Sequence, residues 1–360
     1  MSKKVKVAVS YRVCQHWRVP IFRRLANQEN IELKMFYGAD VPGTKLVSFS
    51  EEPGFQNERL KTMVFRLNTS GRSVALLFCP GLLRKLKKFN PDVILTEGGS
   101  NFINNISVFI YRLISGTPVV WWTLGELPGR QYSAAGKLFR RIIRYMENKS
   151  DVLLGYSSVA MEYFLRNGYD KKKCFVAVNC IDTDKVITDI ARLKLESEKT
   201  KWSLKLENNK VILFVGALTY EKNVDTLLTA FAIVNEKFPA SKLIIVGDGP
   251  ARHFLENIAK EYCIDSNCFF IGSVIEDVTK YFQIADIFVL PGLGGLAVSE
   301  ALANGIPVIC GQGDGCEVDL VINGETGYRY DHKIKNGGNE NYTNWLAGRM
   351  SDLIEDDLKL

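Results

Sequence analysis

IFVLPGLGGLAVSEALANGIPVIC, residues 287–310, reads as strand, glycine turn, helix and strand. Ile287–Leu290 is a short apolar run closed by Pro291, Leu296–Ala303 has helical composition, and Pro307–Cys310 is a second apolar run. Short apolar strands joined by helices predict a parallel sheet covered on both faces. Gly294 and Gly295 let the backbone approach an anion with no side chain in the way. The helix that starts at Leu296 aims unpaired N–H groups and its positive dipole end at that anion. Glu300, one turn into the helix, is a carboxylate able to accept two hydrogen bonds from the cis hydroxyls of a ribose.

The same rhythm extends in both directions. Strands are predicted at Val211–Val215, Lys242–Val246 and Cys268–Ile271, with helices at Asp225–Lys237, Ala251–Tyr262 and Asp277–Ala285 between them. Residues 183–209 are charged and poor in aromatics, which predicts a linker, and a first series of strands and helices precedes it. In that series Asn104–Leu113 reads as a buried helix and Tyr132–Asn148 as a basic amphipathic one. The predicted domains are therefore 1–182 and 210–360, both α/β and Rossmann-like, facing a central cleft. Open parallel sheets take ligands beyond the carboxyl ends of their strands.

Composition narrows the function. The chain has 360 residues, 46% hydrophobic and 24% charged, enough for two ordinary cores and too apolar for a disordered chain. The segment 102–122 is interrupted by Asn104, Asn105, Arg112, Gly116 and Pro118, so no membrane span is expected. The first residues alternate as a strand without an apolar run of signal-peptide length, and the expectation is a cytoplasmic protein. The eight cysteines form no CxxC pair and the three histidines are dispersed, so reduced thiols and no metal site are expected. Residues 1–182 hold 28 Lys and Arg against 14 Asp and Glu, whereas residues 183–360 hold 18 against 26. A basic first half suits an anionic partner.

Glycine turns follow strands at Gly216, at Gly247-Asp248-Gly249, at Gly272-Ser273 and at Gly292, each offering amides to a ligand. The third glycine of a dinucleotide fingerprint would fall on Arg252, which argues against a nicotinamide enzyme.

Five segments in order carry a family resemblance. They are Phe214–Leu218 with Glu221-Lys222-Asn223, Ile245–Pro250, Phe270–Gly272, Ala285–Pro291 and Glu300–Ile309. Together they resemble the retaining GT-B glycosyltransferases of the large family-4 type, which includes sucrose synthase and bacterial polysaccharide transferases. The resemblance implies transfer of a sugar from a nucleotide-diphosphate donor to a hydroxyl, without metal or other cofactor. Lys222 resembles the family's diphosphate-binding lysine. Glu300 resembles the second glutamate of its E-x7-E pattern, Gly272 and Ser273 its base-binding loop, and Gly294, Gly295 and Leu296 its sugar-phosphate turn. Gly216 and Gly247 complete the implied donor set. Two positions depart from the pattern: Ala217 stands where the family has an arginine, and Gly292 where it has the first glutamate.

In the first half, His16 and Glu126 are the candidate catalytic residues of the acceptor side, with Arg18 beside them. Arg140, Arg141 and Arg144, interleaved with apolar residues, predict peripheral contact with anionic lipid, as does Arg84–Lys88. Nucleic acid is not expected, since no recognition motif accompanies the charge. A nucleotide-sugar epimerase and a catalytically silent partner subunit stay open as other readings. The C-terminal segment Trp345–Leu360 resembles the family's penultimate helical region.

Overall fold

A computed structural model describes residues 3–41, 47–49, 52–69, 72–126, 134–331 and 341–355. The chain divides into two units, residues 1–178 and 179–360.

The first unit runs β1 (Val5–Tyr11), α1 (Val19–Ala26), β2 (Ile31–Tyr37), β3 (Gln56–Arg59), β4 (Met63–Thr69), β5 (Arg72–Phe78) and α2 (Leu82–Phe89). It continues with β6 (Val93–Glu97), α3 (Phe102–Ser115), β7 (Val119–Thr123), α4 (Ala134–Lys149), β8 (Val152–Gly155), α5 (Ser158–Arg166) and β9 (Cys174–Val176). Seven strands form one parallel sheet in the order β3-β2-β1-β6-β7-β8-β9, and β4 and β5 make a separate antiparallel hairpin. Strand β3 and the hairpin escape the sequence reading because their polar and exposed residues break the apolar rhythm. Helix α3 is buried only along one side; Ile106, Ile110, Leu113 and Ile114 are exposed.

The second unit opens with α6 (Thr183–Ser203), where a linker was expected. Most of its charges are solvated, while Val186, Asp189 and Leu193 are buried and the helix packs on two later helices. Then come β10 (Lys210–Val215), α7 (Val224–Lys237), β11 (Ser241–Val246), α8 (Arg252–Glu261), β12 (Cys268–Gly272) and α9 (Thr279–Phe282). The unit closes with β13 (Ile287–Leu290), α10 (Leu296–Ala303), β14 (Val308–Cys310), α11 (Glu317–Leu320), β15 (Gly327–Arg329) and α12 (Tyr342–Glu355). The neighbours of α6 are α9 and α10, and Ser197 Oγ donates to Gln283 Oε1 at 2.7 Å. Helix α12 packs on α7 within the same unit.

The six strands are all parallel, ordered β12-β11-β10-β13-β14-β15. Strands β10, β11 and β13 are almost wholly apolar and buried, as strands covered by helices on both faces must be. The Asp286 carboxylate accepts from the Val211 amide at 2.6 Å and ties the start of β13 to β10. Strand order reverses between β10 and β13, and a doubly wound sheet takes its ligand at such a point. In the first unit the reversal lies between β1 and β6.

Gly247 follows β11 with φ of +146°, and a Cβ there would collide with the Gly216 carbonyl oxygen. Gly247→Ala should therefore destabilise the second unit by about 3 kcal/mol, combining backbone strain with overpacking. Urea denaturation is the check; an unchanged midpoint would contradict the packing described.

Candidate functional site

The turns after β10 and β13 are built against each other. After β10 the chain passes Gly216 and closes a 3-10 turn over Tyr220–Lys222. The Leu293 amide donates to the Glu221 carbonyl at 3.0 Å, joining that turn to the one after β13. A Cβ on Gly292 would meet the carbonyl carbon and oxygen of Lys222 at 2.6 and 2.8 Å. A side chain at 292 would push the two turns apart.

This packing positions Lys222. Its Nζ lies 2.8 Å from where a Gly294 Cβ would be and 3.7 Å from the corresponding point on Gly216. Gly295 caps α10, so the ammonium sits beside the turn that leads into that helix. Positive charge and a helix N-terminus thus converge at the reversal point of the sheet, an arrangement that suits an anion.

Glu300 lies one turn into α10. Among the described residues nothing donates a hydrogen bond to its carboxylate, and burial pushes its pKa up to about 7, with Lys185 opposing weakly. A half-buried carboxylate with no donor is suited to hydroxyl groups brought by a ligand.

The Gly216 and Gly247 amides donate to Val246 and Gly272 carbonyls at 2.9 and 2.8 Å, so these amides are engaged within the unit. Gly272, with φ of +91°, ends β12 beside the Arg252 guanidinium, and Ser273 just beyond it is exposed. Arg252 is held by Glu256 at 2.8 Å and donates to the Phe270 carbonyl at 3.2 Å.

Two acids were missed by the sequence reading. The Asp314 carboxylate lies against Gly295, with Oδ2 2.7 Å from the point where a Cβ would be. Glu317, 3% exposed, accepts from the amides of Gly313 and Gly315, each at 2.9 Å. Burial raises both pKa values, opposed at Asp314 by the Cys316 hydrogen bonds and, last, by Lys222. The signal was present as three carboxylates, Asp314, Glu317 and Asp319, between β14 and β15, but nothing in their spacing assigns them to the glycine turn.

In the first unit, His16 opens a 3-10 turn after β1, its ring edge-on to Trp17 at 4.9 Å, and partial burial lowers its pKa. Arg18 is buried with its guanidinium over Trp122 and Tyr156, at 4.6 and 4.7 Å. Arg12 and Glu97 form an ion pair at 2.7 Å across the reversal between β1 and β6. No hydrogen bond joins His16 to Glu126 among the described residues. Glu126 instead accepts from Arg140 Nη2 at 3.1 Å.

Arg140 thereby corrects the expected lipid-facing trio. It turns inward to Glu126, Tyr163 and the buried Glu147, because a carboxylate 1% exposed requires a counter-charge. Arg141 and Arg144 are exposed on α4.

Comparison with known proteins follows this geometry. Residues 196–345 match the family profile described as Glycosyl transferases group 1. The matched residues lie in the second unit. The chain is 36% identical over 107 residues to one uncharacterized glycosyltransferase of Methanocaldococcus jannaschii, covering 29% of this chain and 27% of that protein. A second from the same organism is 24% identical over 327 residues, or 86% of this chain and 74% of the other. The alpha-monoglucosyldiacylglycerol synthase of Streptococcus pneumoniae is 31% identical over 125 residues, 34% of this chain and 28% of the synthase. The crystal structure of Anabaena HepE in complex with UDP superposes with a TM-score of 0.73 at 17% identity, over 99% of this chain and 91% of that one. The architecture is the two-domain GT-B fold. The glycine turn with Lys222 and α10 falls inside the matched residues.

The Glu300 environment makes a pH prediction. Its folded pKa of about 7 lies above the ordinary 4.5, so the native state binds that proton more tightly than the unfolded chain. Stability should fall as pH rises between those values and level off above, by up to roughly 3 kcal/mol. Glu300→Gln should therefore melt higher than wild type at pH 8, with the gap closing at pH 5. Equal gaps at both pH values in calorimetry would contradict the assignment.

Proposed function

We propose that the protein transfers a sugar from a nucleotide-diphosphate donor to a hydroxyl acceptor, with retention, in surface polysaccharide or glycolipid synthesis. The observation that carries this reading is the Lys222 ammonium held over the glycine turn at the N-terminus of α10. The bond from the anomeric carbon to the phosphate oxygen breaks with its electron pair passing to the diphosphate. The acceptor oxygen bonds to that carbon, and its proton goes to the departing phosphate. Lys222 and the α10 N-terminus stabilise the charge that develops on the diphosphate, so no metal is required in this scheme. Glu300 accepts from the ribose hydroxyls. Retention rests on the resemblance of residues 214–309 to retaining enzymes, and the UDP held by the HepE structure supports a nucleotide donor.

The test is transfer of labelled sugar from UDP- and GDP-sugars, alongside calorimetric binding of UDP and GDP. Lys222→Ala should lower turnover about 100-fold while weakening diphosphate binding less, because its charge matters most in the transition state. Wild-type turnover would remove Lys222 from the chemistry. Glu300→Ala should weaken diphosphate binding by about 1.5–3 kcal/mol.

We further propose that the acceptor side works at the inner face of an anionic membrane. Helices α3 and α4 flank one core, where Phe109 and Ile143 pack on the same cluster and Phe102 meets Phe139 at 5.3 Å between ring centres. Their outer surfaces expose Leu113, Ile114, Leu138 and Tyr145, with Lys137, Arg141, Arg144 and Lys149 exposed on the same helix as the last two. Exposed apolar residues and cations sharing one helix suit a lipid surface of opposite charge. The relative named alpha-monoglucosyldiacylglycerol synthase supports a lipid acceptor. Binding to vesicles containing phosphatidylglycerol should fall as salt rises from 0.1 to 1 M, where the screening length drops from about 10 to about 3 Å. The triple change Arg141→Gln, Arg144→Gln and Lys149→Gln should release the protein and leave diphosphate affinity unaltered. Binding indifferent to both overturns the membrane reading.

A further inference from the structure

The turn at Gly294 and Gly295 has two differently charged neighbours. Lys222 Nζ covers the first glycine and the Asp314 carboxylate covers the second. The geometry places Asp314 with care. Its Oδ1 accepts from the Cys316 amide at 3.2 Å, and the residues on either side of it, Gly313 and Gly315, donate to the two oxygens of the buried Glu317. Gly313 is itself packed closely, since a Cβ there would meet the Gly294 carbonyl at 2.8 Å. The loop is therefore clamped from below by one carboxylate and presents another to the glycine turn.

A ligand whose phosphates lie at Lys222 and the start of α10 carries its sugar next to them, joined through a single oxygen. The wall beside Gly292 offers that sugar no side chain, because the backbone of Glu221 and Lys222 fills the space. Hydroxyl groups are donors, and a fixed carboxylate is the acceptor that discriminates best among their arrangements. On the donor-site reading above, we propose that Asp314 accepts hydrogen bonds from hydroxyls of the transferred sugar and so selects which sugar is used. Asp314 supplies from the loop after β14 the contact that position 292 cannot provide. Burial raises the Asp314 pKa, and the hydrogen bonds from Cys316 and, last, the Lys222 charge oppose that rise.

The experiment compares bare and sugar-bearing nucleotides. Calorimetric titration of wild type, Asp314→Asn and Asp314→Gly with UDP, UDP-glucose, GDP and GDP-mannose separates the sugar contact from the diphosphate contact. Wild type should hold one sugar nucleotide more tightly than its bare diphosphate. Both variants should lose roughly tenfold or more of that advantage, the worth of a charged hydrogen bond, with the bare diphosphate bound within about threefold of wild type. Glu317→Gln, which disturbs the clamp, should lose a smaller part of the same advantage. Three results overturn the assignment: a retained advantage in both variants, an equal loss for bare and sugar-bearing forms, or a wild type that binds both forms alike. If wild type binds neither diphosphate, the donor-site reading fails first and the role of Asp314 with it.

Discussion

Backbone-to-backbone contact, side-chain-free Gly292 against the main chain of Glu221–Lys222, is the constraint on which the second unit's site depends. The Leu293 to Glu221 hydrogen bond and the missing Cβ at 292 lock the turn after β10 to the turn after β13. Because those turns follow the two strands at which the sheet reverses, locking them brings a lysine from one loop to the helix start of the other. Lys222, Gly294, Gly295 and the N-terminus of α10 then form one object, although 71 positions separate Lys222 from Leu293. Electrostatic preorganisation of this kind requires no rearrangement when charge develops on a ligand.

The two units share a winding order and differ in what occupies the reversal point. In the first, the Arg12–Glu97 ion pair spans it, with Arg18 stacked on Trp122 and Tyr156 nearby. In the second, glycines line it with Lys222 on one side and Asp314 on the other. The same topology thus gives an aromatic-walled end in one unit and an open-backbone end in the other. Fold alone does not set that difference, since function resides in the side chains grafted on the sheet.

Burial reassigns charged residues that look alike in a linear reading. Arg140, Arg141 and Arg144 fall on one helix, yet Arg140 serves Glu147 inside the first unit while the other two face solvent. Likewise α6 has the composition of a linker and is a packed helix, most of its charges solvated and Val186 and Leu193 buried. In both cases one helical face carries the decision, and composition averages over all faces.

From the residues alone came the parallel α/β architecture, the two-part division, and the glycine turn and glutamate as candidates, whereas Lys222 was marked by the family resemblance. Local signals sufficed for the former: apolar runs of strand length, glycine after strand, carboxylate one turn into a helix. Tertiary structure decided what depends on pairs distant in sequence. It set Gly292 against Lys222, Asp314 against Gly295, Glu126 with Arg140, and the hairpin apart from the main sheet. Asp314 is the clearest case, a carboxylate whose meaning comes from a glycine nineteen positions earlier. Periodicity reports which face of one element is apolar, and only packing reports which element that face will meet.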